Sequence, residues 1–227
     1  MNIDLEALDH QLRTALHSFP VNLAARCALQ SLSEDVLDLS EKMQLFYQAY
    51  DAFLALVKEG VPMSCGAGCA HCCTDNPIGV TGAELEMISD WVVQQVDADE
   101  LIERIVKSAL HYQSFVEQQP TSPILAWKKQ RNYCPLLDRE NRCRAYSIRP
   151  IACRMHFSIT PSSWCEPQHQ KFESSINPQL ELSKDVHQQL QRISSERGWD
   201  QIPADFLSGL SQLLQLKHGA SGQGETQ

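Results

Sequence analysis

Four of the chain's nine cysteines fall within nine residues, Cys65-Gly-Ala-Gly-Cys69-Ala-His-Cys72-Cys73. Thiols packed this densely limit the fold more than any apolar pattern does. They must be cross-linked, buried singly or bound to metal. The small residues between them suit a loop whose backbone passes close to an ion and takes unusual φ. A second set, Cys134, Cys143, Cys153 and Cys165, brings the total to eight. Eight thiolates match two four-ligand tetrahedral sites, and thiolates favour zinc and iron. One complete site, with the remaining cysteines partly structural, satisfies the same count. The spacing Cys65-x3-Cys69-x2-Cys72 suits a [4Fe–4S] cluster and is acceptable for zinc. Cys72 and Cys73 are adjacent, and in extended backbone their side chains point to opposite sides. They therefore fit two metals, or two irons of one larger cluster, better than one mononuclear site. A vicinal disulfide is the competing reading.

The choice between metal and disulfide depends on compartment. The segment Met-Asn-Ile-Asp-Leu-Glu-Ala has no basic region, apolar core or cleavage site, so no export signal is expected. No run approaches the ~18 apolar residues of a membrane span. A cytoplasmic setting follows, where thiols stay reduced and act as ligands. The net charge of −9 disfavours a general nucleic-acid or anionic-membrane binder. Metal ions are the implied partners; no protein partner is indicated. Cys27 stands apart on an apolar helical stretch and is expected to be a buried small hydrophobe.

The expected fold is mainly α: a small helical domain with a cysteine-rich, loop-rich metal-binding core and a short β-hairpin. Leu5, Leu8, Leu12 and Leu16 recur at helical spacing, ending before Pro20. A second segment runs to about Leu32. The box Ser31-Leu-Ser-Glu34 introduces a long helix with Met43, Phe46, Tyr50, Phe53 and Val57 on one face. Thr81-Gly-Ala-Glu84 opens another helix with Leu85, Ile88 and Val92 inward, and Asp97-Ala-Asp-Glu100 opens the next. Residues 120–131, with Pro120 and Pro123, read as irregular. Tyr133 to Tyr146 reads as a hairpin about the turn Asp138-Arg-Glu-Asn141. Helices at about 183–197 and 203–217 close the chain. The organisation divides into a helical region at 1–60, a metal-binding core at 61–167, C-terminal helices at 168–218 and a disordered tail at 219–227.

The second cysteine set lies in Cys134-Pro-Leu-Leu137, Cys143-Arg-Ala-Tyr146 and Arg149-Pro-Ile-Ala-Cys153-Arg154. With Cys65, Cys69, Cys72 and Cys73, this order and spacing resembles the YkgJ-type cysteine-cluster family, a zinc- or iron-chelating domain. The resemblance covers about residues 60–167, and Cys165 follows the core pattern as in some members. It implies metal or Fe–S binding through Cys65, Cys69, Cys72, Cys73, Cys134, Cys143, Cys153 and Cys165. It supplies no reaction. A similar cluster occurs in flagellin lysine methylases, which are longer.

Residues 128–154 hold eight lysines and arginines against Asp138 and Glu140, a net +6. Thiolate–metal centres are anionic and partly desolvated, so Arg149 and Arg154 are expected as charge partners of the sulfurs. His71 and His156 are secondary ligand candidates. Tyr146 is expected to pack over the metal loop. The primary functional expectation is a protein that binds zinc or iron, the latter also as a [4Fe–4S] cluster, through eight cysteines. The alternative is an Fe–S-dependent enzyme or redox protein of protein-modifying, methylase-like type; a metal-transfer module ranks below it. Radical-SAM chemistry is disfavoured because His71 stands where those enzymes carry an aromatic residue, and because no β/α repeat is present. No Gly-rich strand-to-helix turn supports a methyltransferase.

Overall fold

The structure, a computed structural model, describes residues 4–33, 38–118, 123–166, 168–169 and 182–221. The chain packs as two compact units, each built from two stretches: Met1–Cys72 with Cys153–Gln189, and Cys73–Ala152 with Leu190–Gln227.

The first unit is founded on α1 (Leu5–Leu16), α2 (Phe19–Leu32) and α3 (Leu39–Glu59). Asp4 caps α1, its carboxylate accepting the Ala7 N–H at 3.0 Å. Pro20 sits in the first turn of α2, where its missing N–H costs nothing. The expected box at Ser31–Glu34 does not start α3. Ser31 lies within α2, bonded to the Ala28 carbonyl, and Glu34 lies outside the described residues. The box is Asp38–Glu41: Asp38 accepts the Glu41 N–H at 2.9 Å, and Glu41 accepts the Asp38 N–H. α2 continues to Leu32 because Val21, Ala28 and Leu32 form its buried stripe. Cys27, one position off that stripe, is exposed, which corrects its assignment to the core.

The face expected on α3 is buried in full, with Tyr47 and Leu54 added. Phe46, Tyr50 and Phe53 form a ladder of tilted rings with centroids 5.7 and 5.4 Å apart. Each such side chain contributes about 1.5–3 kcal/mol on burial, so this helix is the spine of the unit. At its C-terminal end Gly60 permits close approach by α1: a Cβ there would meet that of Ala15 at 2.6 Å.

The second unit packs α4 (Gly82–Val93), α5 (Ala98–Gln118), α6 (Pro123–Lys129) and α9 (Phe206–Ser221) around one core. The short α7 (Ile151–Arg154) and α8 (Leu182–Glu196) carry the chain across the division. Leu85, Ile88 and Val92 from α4 meet Leu101, Ile105 and Ala109 from α5 and Leu210, Leu213 and Leu214 from α9. The expected box at Thr81–Glu84 is present: Glu84 Oε2 accepts both the Thr81 N–H and hydroxyl at 2.8 Å. Glu86 is held by Arg197, at 2.6 and 2.5 Å, and by the Trp199 indole N–H at 2.7 Å. Burial pushes its carboxyl up, but these hydrogen bonds and the Arg197 charge hold it below its ordinary value.

Two expectations fail here. The segment called irregular contains α6, with Pro123 at its first position; residues 119–122 lie outside the described residues. The β-hairpin is absent, and no strand forms among the described residues. Leu137 and Cys143 make one isolated antiparallel bridge. Two hydrogen bonds flank it, Arg144 N–H to Leu136 O and Asp138 N–H to Arg142 O, both 2.9 Å, but turns at Cys134–Leu137 and Ala145–Ile148 stop the pairing from lengthening into strands. Of the tail expected at 219–227, residues 219–221 lie within α9, and residues 222–227 lie outside the described residues. No described helix is long and apolar enough to cross a membrane.

Candidate metal centre

In the first unit the cysteine loop is clasped from its entry. Ser64 donates its N–H to the Ser158 carbonyl at 3.2 Å, and Ser158 returns its own N–H to Cys65 Sγ at 3.2 Å. The Cys69 N–H closes a tight turn onto Gly66 O at 3.0 Å, and Gly68 takes φ +83°. A Cβ is disfavoured in that left-handed region, so glycine is needed there. His71–Thr74 then forms a 3₁₀ turn. The extended backbone assumed for Cys72 and Cys73 is thus corrected: they are consecutive residues of a turn with three residues per revolution.

Cys165 ends another 3₁₀ turn, Ser162–Cys165, with buried Trp164 as its anchor. Burial pushes the Cys65 thiol above its ordinary value. The Ser158 N–H pulls it back, while Cys69, Cys72 and Cys165 push it further up by charge repulsion. Cys69, Cys72 and Cys165 thus lie within electrostatic reach of Cys65. All are half-buried, and none of the chain's nine cysteines is in a disulfide. His71 Nε2 lies 4.0 Å from Glu166 Oε1. Cys153 belongs to the same unit, on α7, with its carbonyl accepting the His156 N–H at 3.4 Å.

The second unit holds Cys73, Cys134 and Cys143. The Cys134 N–H donates to the Cys73 carbonyl at 2.8 Å, which sets these two cysteines side by side in the backbone. Cys134 and Cys143 both pack against the unit's core. The residues after Cys73 act as guy-ropes. Asp75 pairs with Lys128 of α6 at 3.0 Å. Asn76 donates to Asp205 at 2.7 Å and accepts the Leu207 N–H at 3.0 Å. Glu84 Oε1 takes the Ile151 N–H at 2.7 Å, fixing the start of α7 two residues before Cys153.

The expected charge partners behave differently. Arg154 is fully buried; it reaches Asp51 at 2.5 Å and lies 4.1 Å over the Tyr47 ring. Arg149 stacks 3.6 Å over Tyr146 and donates to its carbonyl. Tyr146 is 59% exposed, which corrects its placement over the metal loop. Arg144 grips Asp97 with two bonds of 2.7 Å, and Arg142 binds Asp138. Three carboxylates from outside the stretch, Asp51, Asp75 and Asp97, thus offset half of its net +6.

Among the described residues no three His, Cys, Asp or Glu side chains are disposed to hold a metal ion as they stand. In donor chemistry the group Cys65, Cys69, Cys72 and Cys165 does fit zinc or iron: four half-buried thiols of one unit, none in a disulfide. The residues that sequence reasoning missed are Ser158, Asn76 and Glu84 in its second role. Asn76-Pro77 is a turn signal that points to the second of these; the other two act across long separations with no local sign.

Residues 64–177, half of the chain, match the family model described as "CxxCxxCC: Putative zinc- or iron-chelating domain". The chain carries three residues between its first two cysteines where that name prints two. No curated protein and no solved structure matches the chain.

Proposed function

The chain belongs to the zinc- or iron-chelating CxxCxxCC family, and on that premise we propose that it binds zinc or iron through its clustered cysteines. The support is that Cys65, its Sγ accepting the Ser158 N–H, shares one unit with Cys69, Cys72 and Cys165, whose charges bear on it. Neighbouring thiolates repel one another, and a divalent cation turns that repulsion into coordination. These four form the principal ligand group. Cys73, Cys134, Cys143 and Cys153 complete the proposed set of eight, on the strength of the sequence pattern. The bound metal supplies a cationic centre; Ser158 holds Cys65 in place, and the 3₁₀ turns present Cys72 and Cys165. A reducing, cytoplasmic setting agrees with nine cysteines outside disulfides.

Because a ligand thiol must lose its proton and that of Cys65 is held above its ordinary value, protons compete with metal more strongly than at a lone cysteine. Affinity therefore rises as pH rises. The test is metal and acid-labile sulfide per chain after anaerobic purification, for the parent protein and for Cys65→Ser, Cys165→Ser and Cys27→Ser. The expected result is stoichiometric metal in the parent and in Cys27→Ser, with loss in the other two. Labile sulfide identifies a cluster, and its absence with stoichiometric zinc identifies a thiolate site. Parent protein that neither carries nor takes up metal overturns the proposal.

A further inference from the structure

Two cavities of the second unit share a wall. One, of about 220 Å³, runs in against Trp127; the other is a shallower groove of about 360 Å³; Ser108, Tyr133 and Cys134 line both. One side is a single face of α5, where Arg104, Lys107, Ser108 and His111 recur every three or four residues. The wall is cationic in a chain of net charge −9. Its two acids each face a cation: Asp75 through Oδ2 to Lys128, and Asp138 to the Arg142 side chain, with the N–H groups of Glu140 and Arg142 beside it. Lys107 has no hydrogen-bond or ion-pair partner among the described residues.

The inner end is aromatic. Trp127 is 2% exposed and meets the edges of His111 and Tyr112 at 5.1 and 5.0 Å. Its indole N–H has no hydrogen-bond partner among the described residues. A buried donor without an acceptor is costly and uncommon in a core. Here it belongs to a residue in the wall of a cavity, where an entering oxygen or nitrogen acceptor is available to it.

We propose that this groove binds a small organic anion with a planar body. The anionic group faces Lys107 and Arg104, and the planar part enters between Trp127, His111 and Tyr133. Volumes of this order suit a compact ligand. Cys134 shares the wall, but nothing in the recognition requires metal, so the site stands or falls apart from the metal reading.

The test uses the full chain as purified, with its metal content measured on the same sample, and titrates it into para-fluorobenzoate, para-fluorophenyl phosphate and neutral fluorobenzene. Fluorine NMR line broadening reports binding. The expected result is saturable binding of one or both anions near ~1 mM or tighter, with the preferred anion naming the head group as carboxylate or phosphate. Lys107→Glu, at an exposed position, should weaken binding about tenfold or more. Ser108→Phe, which fills the shared wall, should abolish it. Leu110→Glu, on an exposed part of α5, should leave it unchanged. Circular dichroism checks that each variant is folded. Absence of broadening by either anion up to about 10 mM, equal binding by Lys107→Glu, or fluorobenzene binding as tightly as the anions overturns the proposal.

Discussion

Glu84 and Glu86 stand two residues apart on α4, both buried, each satisfied by a different kind of donor. Glu84 receives neutral donors, the N–H and hydroxyl of Thr81 and the N–H of Ile151. Glu84→Ala leaves those groups unsatisfied and should cost about 3 kcal/mol in urea unfolding. If the start of α7 positions Cys153, the variant should also retain less metal. Glu86 depends on Arg197 and Trp199. With its folded-state carboxyl held below the ordinary 4.5, its contribution is complete above that pH and is lost as pH falls through the lower folded value. Glu86→Gln should therefore lose about 1–2 kcal/mol near neutrality and show a flatter decline below pH ~4.5; urea midpoints against pH measure both. The Thr81–Glu84 box was legible because its partners are three residues apart. The bond from Glu84 to Ile151, and the bond from Ser158 to Cys65, join residues far apart in sequence and leave no local periodicity.

Elements divide along the same line. Asp38 and Glu41 clamp the start of α3, and Asp38→Ala should cost about 1 kcal/mol, seen as a lower thermal midpoint without loss of helix content. Gly209 lets α9 approach its neighbours: a Cβ there would lie 2.4 Å from the Pro203 carbonyl oxygen and 2.5 Å from Leu85 Cδ1. Gly209→Ala should cost about 1–3 kcal/mol in the same measurement, and a neutral result would show that α9 shifts freely. Long helices with repeated apolar faces, such as α3 and α4, were readable in sequence because burial follows helical period. The hairpin was misread because Leu137 to Cys143 has strand-like bounds and a polar turn. Asp138 instead uses its carboxylate to hold Glu140 and Arg142 in a local knot, with Asn141 at φ +59°. α6 was missed because two prolines suggested a loop, whereas Pro123 occupies a first-turn position that proline suits.

For the whole molecule, the cysteine count was legible and its distribution was not. Residues 65–72, 153 and 165 belong to one unit, and residues 73, 134 and 143 to the other. A linear pattern cannot express a division that falls between two adjacent cysteines. If metal draws the first group together, adding zinc to metal-free protein should raise the thermal midpoint with concentration. It should also slow amide exchange at residues 64–73 and 157–165. No added protection in those segments would separate metal uptake from ordering of the loop. The discontinuous construction has a consequence for synthesis. Cys65, Cys69 and Cys72 leave the ribosome about 90 residues ahead of Cys165. At the usual elongation speed that is a delay of about 5–20 s. During that interval a nascent trio of thiols meets whatever oxidants and competing ions the surroundings hold, so the order of translation, as much as final affinity, bears on which metal the finished protein carries.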